Sequence, residues 1–233
     1  GRRSVCGCWR DTTPVPPFEH RDRRTVALML RELTASVRVH LFVDDGEMSR
    51  AAEAIWMATA GMSRGRVSVA RHGGVANPLA QRFDVSQTPT AVFLDAAGHD
   101  SGSRFFGAPS GYLYQTVVDH LLYLSQGHQT LSGPWRSLMA SVREPLHVRV
   151  WTVPNCPHCP QAVRLAERMA AACPKWVRTD IVEAYGLPNR DEVPDLLPTV
   201  WLDAPLTSAR EAICGVVPEA QWIAAVEHLT RSR

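Results

Sequence analysis

The sequence predicts an α/β protein made of two similar units in tandem, each a mixed central sheet flanked by helices. Three observations carry this: an internal repeat, side-chain periodicity that switches between strand and helix, and the same element order in both halves. The repeat is direct. "PTAVFLD" at 89–95 returns as "PTVWLD" at 198–203, an offset of 109, and "FFGAPSGYLYQTVVDHL" at 105–121 returns as "ICGVVPEAQWIAAVEHL" at 213–229, an offset of 108. The offset of 109 also lays "VHLFVDDGEMSRAAEAIWMA" (39–58) onto "VRVWTVPNCPHCPQAVRLAE" (148–167). Three blocks agreeing in offset point to duplication rather than coincidence.

The elements follow in chain order. "RRTVALMLRELTA" (23–35) reads as an opening helix. Val39, Leu41 and Val43 alternate with His40 and Phe42, the period of a strand, while "AAEAIWMATA" runs at helical spacing. A second strand, a Pro-Thr strand, a hairpin and a last helix complete the unit. "SQGHQTLSG" (125–133) has the composition of a linker, and a helix over 134–143 starts the second unit as 23–35 starts the first. There "AVRLAERMAAA" is the counterpart helix. Residues 1–19, with Pro14, Pro16 and Pro17, fit neither repeat and read as a tail. The expected division is therefore 1–19, 20–127 and 128–233.

Composition excludes several classes. An apolar content of 45%, a charged content of 21% and a net charge of +2 are those of an ordinary globular chain. Arg2, Arg3, Arg21, Arg23 and Arg24 gather in the polar N-terminal segment rather than along a repeated face, so nucleic acid is not an expected partner. No stretch approaches the roughly 18–20 apolar residues of a membrane span, and no apolar run follows Arg2 and Arg3 as a secretory signal requires. Six cysteines (Cys6, Cys8, Cys156, Cys159, Cys173 and Cys214) are too few for a disulfide scaffold. A reducing, cytoplasmic setting is expected, in which such cysteines serve catalysis or metal binding.

The chemistry concentrates at "NCPHCP" (155–160). A spacing of three places the sulfurs of Cys156 and Cys159 on one side of a helical first turn, close enough to bridge. A helix beginning near Cys156 sets that thiol beside free backbone N–H groups and the positive end of the helix dipole, which favour thiolate. The dipole supplies at most about 2 kcal/mol, or roughly 1.5 pKa units. A strongly acidic thiol needs more, and His158 is the candidate source, as imidazolium or as a hydrogen-bond donor. Cys156, at the exposed helix end, is then the attacking thiolate and Cys159, one turn inward, the resolving thiol. Pro157 suits the first helical turn because it has no N–H to leave unpaired. A zinc ribbon needs a second C-x-x-C, and only Cys173 follows; covalent haem needs His where Pro160 stands. A structural disulfide closing so short a loop removes little chain entropy. Redox exchange is the favoured use.

"LLPTVWLD" (196–203) is the second piece. Pro198 cannot donate to a ladder and belongs at a strand start. With a cis peptide bond, the backbone around Leu197 and Thr199 turns outward beside the cysteines, able to hold a substrate chain in extended form. An ordinary strand-opening proline is the simpler alternative.

With these motifs and the duplication, residues 23–232 resemble the tandem-thioredoxin-fold proteins: the glutaredoxin-like protein disulfide oxidoreductases and the N-terminal domain of the F component of alkyl hydroperoxide reductase. The carriers are "NCPHCPQAVRLAERMA", "VEAYGLPN" (182–189), "LLPTV" and "SRFFGAPSGYLY" (103–114). The resemblance implies two thioredoxin folds and thiol–disulfide exchange, with Cys156 nucleophilic, Cys159 resolving and Pro198 the cis-proline. It also implies electron transfer from a thioredoxin-reductase-like flavoprotein to a disulfide protein such as a peroxiredoxin. No flavin or nicotinamide fingerprint occurs here, since "RHGGVANP" (71–78) lacks G-x-G-x-x-G, so flavin and NADPH belong to a separate partner. No metal site is expected, because the histidines show no ligand spacing.

Two departures stand out. Glu47 and Arg50 occupy the first-unit positions of Cys156 and Cys159, so that unit cannot run dithiol chemistry. Its proline, Pro89, survives as scaffold or as a docking edge. Relatives often carry Gly-His-Glu-Phe where this chain has Gly111-Tyr112-Leu113-Tyr114, and Leu113 replaces their candidate proton acceptor. Water, His158 or Glu183 must serve Cys159 instead. Cys6 and Cys8, a C-x-C pair, are open to use as an accessory redox pair, half a metal site or plain thiols. Cys173 and Cys214 are expected to be small core residues. The competing function is a thioredoxin-like binding or assembly subunit with vestigial or no redox activity.

Overall fold

The computed structural model describes residues 20–127, 131–186 and 192–231. α1 (His20–Met29) tightens into a 3-10 turn at Leu30–Glu32. β1 (Val37–Val43), α2 (Glu47–Met62), β2 (Val67–Gly73) and a short α3 (Pro78–Arg82) follow, then the hairpin β3 (Thr90–Leu94) and β4 (Asp100–Phe106), and α4 (Tyr112–Gln126). The second unit repeats the order. It runs α5 (Gly133–Ser141), β5 (Leu146–Thr152), α6 (Cys159–Ala172) and β6 (Val177–Glu183). A 3-10 turn at Ala184–Gly186, the hairpin β7 (Thr199–Ala204) and β8 (Ala209–Cys214), and α7 (Glu219–Arg231) complete it.

The local reasons are those of the residue types. β1 and β5 are rich in β-branched residues, and every second side chain faces the larger core: Val37, Val39, Leu41 and Val43 in one, Leu146, Val148 and Val150 in the other. On α6 the buried Cys159, Ala162, Val163, Ala166, Met169 and Ala170 recur at helical spacing and form one apolar stripe. α3 starts where the Asn77 side chain accepts the Leu79 N–H at 2.9 Å, with Pro78 at the first helical position.

All eight strands join in one sheet, in the order β2-β1-β3-β4-β6-β5-β7-β8. Each half keeps the same internal pattern, with β1–β2 and β5–β6 parallel and the remaining pairs within each half antiparallel. The halves meet through parallel pairing of β4 with β6, from Ser103 opposite Thr179 to Phe106 opposite Val182. The repeat does not reveal this join, because it is an edge-to-edge pairing rather than a property of either copy. Gly102 permits it. Its φ is +78°, and a Cβ there would lie 2.7 Å from the Val177 carbonyl oxygen.

One continuous core, from Val26 to Leu229, runs along the face covered by α1, α2, α4, α5, α6 and α7. The opposite face carries two smaller clusters. Phe42, Phe83 and Val92 pack beneath α3, and Phe106 of the first unit packs with Trp151, Val182, Leu197 and Trp201 of the second. Polar bonds cross the join on that face. Asp180, opposite Arg104 in the pairing, accepts from His147 at 2.7 Å and from Arg178 at 2.9 Å, and Arg178 also bonds the Asp84 carboxylate.

The duplicated loops match bond for bond. Thr88–Pro89 and Leu197–Pro198 are both cis. The Pro89 carbonyl accepts from Gly107 N–H at 2.9 Å and that of Pro198 from Gly215 N–H at 2.7 Å. Thr90 Oγ1 donates to the Gln87 carbonyl at 2.6 Å, and Thr199 Oγ1 to that of Leu196 at 2.7 Å.

Candidate active site

β5 ends at Thr152, and residues 153–158 form the turn that carries the first cysteine to the start of α6. Cys156 N–H donates to the Val153 carbonyl at 3.2 Å. The Cα atoms of Cys156 and Cys159 lie 5.5 Å apart with the sulfurs at disulfide-bonding separation. Cys159 is fully buried; Cys156 has 9% exposure, while Pro157 and His158 face solvent. Cys156 is thus the more accessible residue of the pair.

α6 begins at Cys159, three residues later than expected, which corrects the placement of Cys156 and Pro157 in its first turn. Pro160 explains the shift. In a helix begun at Cys156, residue 160 would have to donate to the Cys156 carbonyl, and proline has no N–H. Starting at Cys159 instead puts Pro160 at the second helical position, where no donor is required. The consequence favours thiolate chemistry: Cys159 N–H, a free donor of the first turn, points to Cys156 Sγ at 3.1 Å. His158 is the N-terminal cap residue, but its side chain does not cap, and among the described residues its imidazole makes no hydrogen bond or ion pair. Its action on Cys156 is limited to a screened charge.

The cis-proline loop sits at the same end of the sheet. Trp151 of β5 pairs with Thr199 of β7, which pairs with Cys214 of β8, so Pro198 stands one residue beyond this row on the side where β5 leads to the cysteines. Thr199 is buried and its hydroxyl closes the Leu196 turn; Leu197 is half-buried and Leu196 is exposed. Glu183, opposite Thr152, reaches this end too; it is 2% exposed and accepts the Tyr185 N–H at 2.8 Å. Cys6 and Cys8 lie outside the described residues.

The first unit reaches into this site, which the sequence did not reveal. Tyr112 N–H donates to the Pro154 carbonyl at 2.9 Å. Gly111 makes the approach possible: its φ is +55°, and a Cβ would collide with the Pro154 carbonyl oxygen. Gly111 stands in "APSGYLY" as a candidate turn residue, but only the packing of α4 on α6 says what it touches. Leu113 is fully buried. Along the same helix pair Arg164 bonds Asp119 at 2.6 Å, and His120 Nδ1 lies 3.8 Å from Glu167 Oε2 in a buried pair. Burial holds Glu167 well above the usual carboxylate range and lowers His120 to about 3, each shift favouring the uncharged form.

In the first unit the equivalent space is closed differently. The Asp44 carboxylate accepts from Thr88 Oγ1 at 2.5 Å, from Ser49 Oγ at 2.7 Å and from Gly46 N–H at 2.8 Å. Led by the Thr88 bond, these hold Asp44 below the usual carboxylate range. They tie the start of α2 to the residue before Pro89.

One cysteine expectation is corrected and the other holds in part, since Cys173 packs against the main core. Cys214 is exposed, because β8 is an edge strand and α7 covers only the face that Ile213 presents. Cys173, at the C-terminal cap of α6, is half-buried, and burial raises its thiol pKa. Among the described residues no group of three or more His, Cys, Asp or Glu side chains is placed to hold a metal, and no helix is long and apolar enough to cross a membrane.

Fold and site together define two tandem thioredoxin-like folds with one cysteine pair among the described residues. No family model matches the sequence, and none of the curated proteins matches it. Solved structures do. The chain is similar to the NTD_N/C domain of alkylhydroperoxide reductase AhpF from Enterococcus faecalis, at 20% identity over 90% of this chain and 99% of that one, with a TM-score of 0.79. It is similar to a protein disulfide oxidoreductase from Aeropyrum pernix at 21% identity, covering 92% of this chain and 94% of that one, also at 0.79.

Proposed function

We propose that the protein is a thiol–disulfide oxidoreductase with one dithiol site, Cys156–Cys159. The observation that carries this reading is the Cys159 N–H aimed at Cys156 Sγ at 3.1 Å, with Cys156 the outer and Cys159 the buried sulfur. In the reducing direction the Cys156 thiolate attacks one sulfur of a substrate disulfide, forming a mixed disulfide and releasing the other sulfur as thiolate. Cys159 then loses its proton and attacks the Cys156 sulfur. The substrate leaves with both sulfurs reduced, and the protein retains the Cys156–Cys159 disulfide; two electrons have passed. Pro157 and His158 shape the exposed rim. Pro198, with Leu197 and Thr199, offers backbone to an extended substrate chain. Residues 20–127 act as a non-catalytic unit and 128–233 as the catalytic one.

Electrons come from a thioredoxin-reductase-like flavoprotein carrying flavin and using NADPH, and go to a peroxiredoxin or another disulfide protein, in the cytoplasm. Similarity of fold to an alkylhydroperoxide reductase domain and to a protein disulfide oxidoreductase supports this direction. The test is insulin disulfide reduction by the protein, by Cys156→Ser and by Cys159→Ser. Activity should vanish in the first and stall at a trapped mixed disulfide in the second. Equal behaviour of wild type and Cys156→Ser would instead favour a binding or assembly subunit, the role that the Asp44–Thr88 closure suits in the first unit.

A further inference from the structure

A cleft of about 810 Å³ opens between α5, α6 and the turn into α7. Its charge is predominantly positive. Arg136 is exposed and Arg168 half-buried, and among the described residues neither forms an ion pair, although Arg168 acts at longer range on the buried Glu167. Of the other charges on its walls, Arg164 is paired with Asp119 at 2.6 Å, while the Glu219 carboxylate at the rim accepts from Ser132 Oγ at 2.5 Å and keeps its charge, so the two arginines outnumber it. Leu165, Val217 and the buried Trp222 give it an apolar floor. α7 starts at its rim, where Glu219 in the first turn already meets the positive end of the helix dipole.

The position of the cleft assigns it a use. Its upper end is formed by Gln161, two residues past Cys159, and by Gly215, whose N–H bonds the Pro198 carbonyl at 2.7 Å. It therefore leads away from the cysteine pair and the cis-proline loop. Arg168 stands nine residues along the chain from Cys159, about 13 Å at the helical rise, which about four residues of extended chain would span.

We propose that this cleft docks an acidic segment of the disulfide-bearing partner, with carboxylates about four residues from its reactive cysteine and an apolar side chain between them. This rests on the function proposed above and adds the chemistry of the partner. Unpaired arginines facing an apolar floor suit a carboxylate-bearing peptide, whose side chains supply both kinds of contact.

The test uses short peptides, each with one cysteine in mixed disulfide with thionitrobenzoate and differing only in four Glu, four Gln or four Lys beside it. The reduced full-length protein exchanges with them, yielding peptide thiol, the arylthiolate and oxidised protein. The acidic peptide should react about three- to tenfold faster than the Gln peptide, and the Lys peptide slower still. Arg136→Ala/Arg168→Ala should abolish the preference, Arg136→Lys/Arg168→Lys should restore much of it, and both should reduce a small aromatic disulfide at the wild-type rate. Binding of the acidic peptide with Ser in place of Cys, read by anisotropy, probes the cleft without the cysteines. Failure to reduce the small disulfide would sink the redox reading alone. Equal rates for the three peptides, an unchanged preference in the alanine variant, or tighter binding of a single-stranded oligonucleotide would overturn the docking proposal.

Discussion

Tyr112 donates its backbone N–H to the carbonyl oxygen of Pro154 at 2.9 Å, joining the start of α4 in the first unit to the turn that presents Cys156 in the second. The unit without cysteines therefore helps to hold the turn that bears them. Gly111 is the residue that this contact cannot lose, since its φ of +55° and the Pro154 oxygen both exclude a Cβ.

Gly111→Ala should lower stability by about 1–3 kcal/mol, the cost of a strained backbone position. Urea unfolding checks this, and a loss below about 0.5 kcal/mol, the size of an ordinary surface change, would mean that the turn relaxes freely.

The buried Glu167–His120 pair predicts a pH-dependent difference between wild type and Glu167→Gln. Burial raises Glu167, and the nearby Asp119 raises it further, while Arg164 and Arg168 oppose. A raised carboxyl contributes stability that is complete below its unfolded pKa of about 4.3 and is lost as pH rises toward the folded value. The glutamine variant, always neutral, has no such loss. It should gain on wild type by about 1.4 kcal/mol per pH unit above about pH 4.5. His120, depressed to about 3, costs both proteins stability as pH falls below about 6.5 and cancels from the comparison. A gap independent of pH would mean that Glu167 titrates in the folded protein as it does in the unfolded chain.

Asp180 predicts the opposite dependence. Burial pushes its carboxyl up, but the His147 and Arg178 bonds outweigh this and leave it below the usual range. Its contribution is present above about pH 4 and fades as pH falls through the folded value. Asp180→Asn should cost about 3 kcal/mol at neutral pH, because it removes the buried negative charge and one of the two oxygens that accept from His147 and Arg178, and the difference should close in acid. Unfolding midpoints across pH give the answer; a constant difference would show that packing rather than charge is lost.

His158 tests the electrostatics of the cysteine pair. Exposed and unbonded, it acts through a solvent-screened charge worth less than about 1 kcal/mol. His158→Asn should lower the reduction potential by at most about 20 mV at roughly 30 mV per 1.4 kcal/mol. A larger fall, measured against a glutathione series, would require a direct contact with Cys156 in the reduced protein.

Much of this is legible in the sequence, for physical reasons that can be named. The repeat exposes two α/β units because matching strands and helices need matching periodicities, and the lost sulfurs at Glu47 and Arg50 emerge from alignment of the copies. The start of α6 is harder to place. Pro157 alone suits a helix begun at Cys156, and only the donor that Pro160 lacks moves the start to Cys159. The exposure of Cys214 is not legible at all, because a strand pattern does not say which strand is an edge.

The sequence alone determined what each copy is: its strands, its helices, the Pro-Thr loops and the single C-P-H-C. These rest on contacts within one copy, encoded by local spacing. Only the tertiary structure decided that β4 and β6 weld the copies into one sheet, that α4 packs on α6, and that Tyr112 grips Pro154. Those arise where the surfaces of two folded units meet. Backbone edges and buried pairs made there depend on which faces come together, and no periodicity within either copy records it.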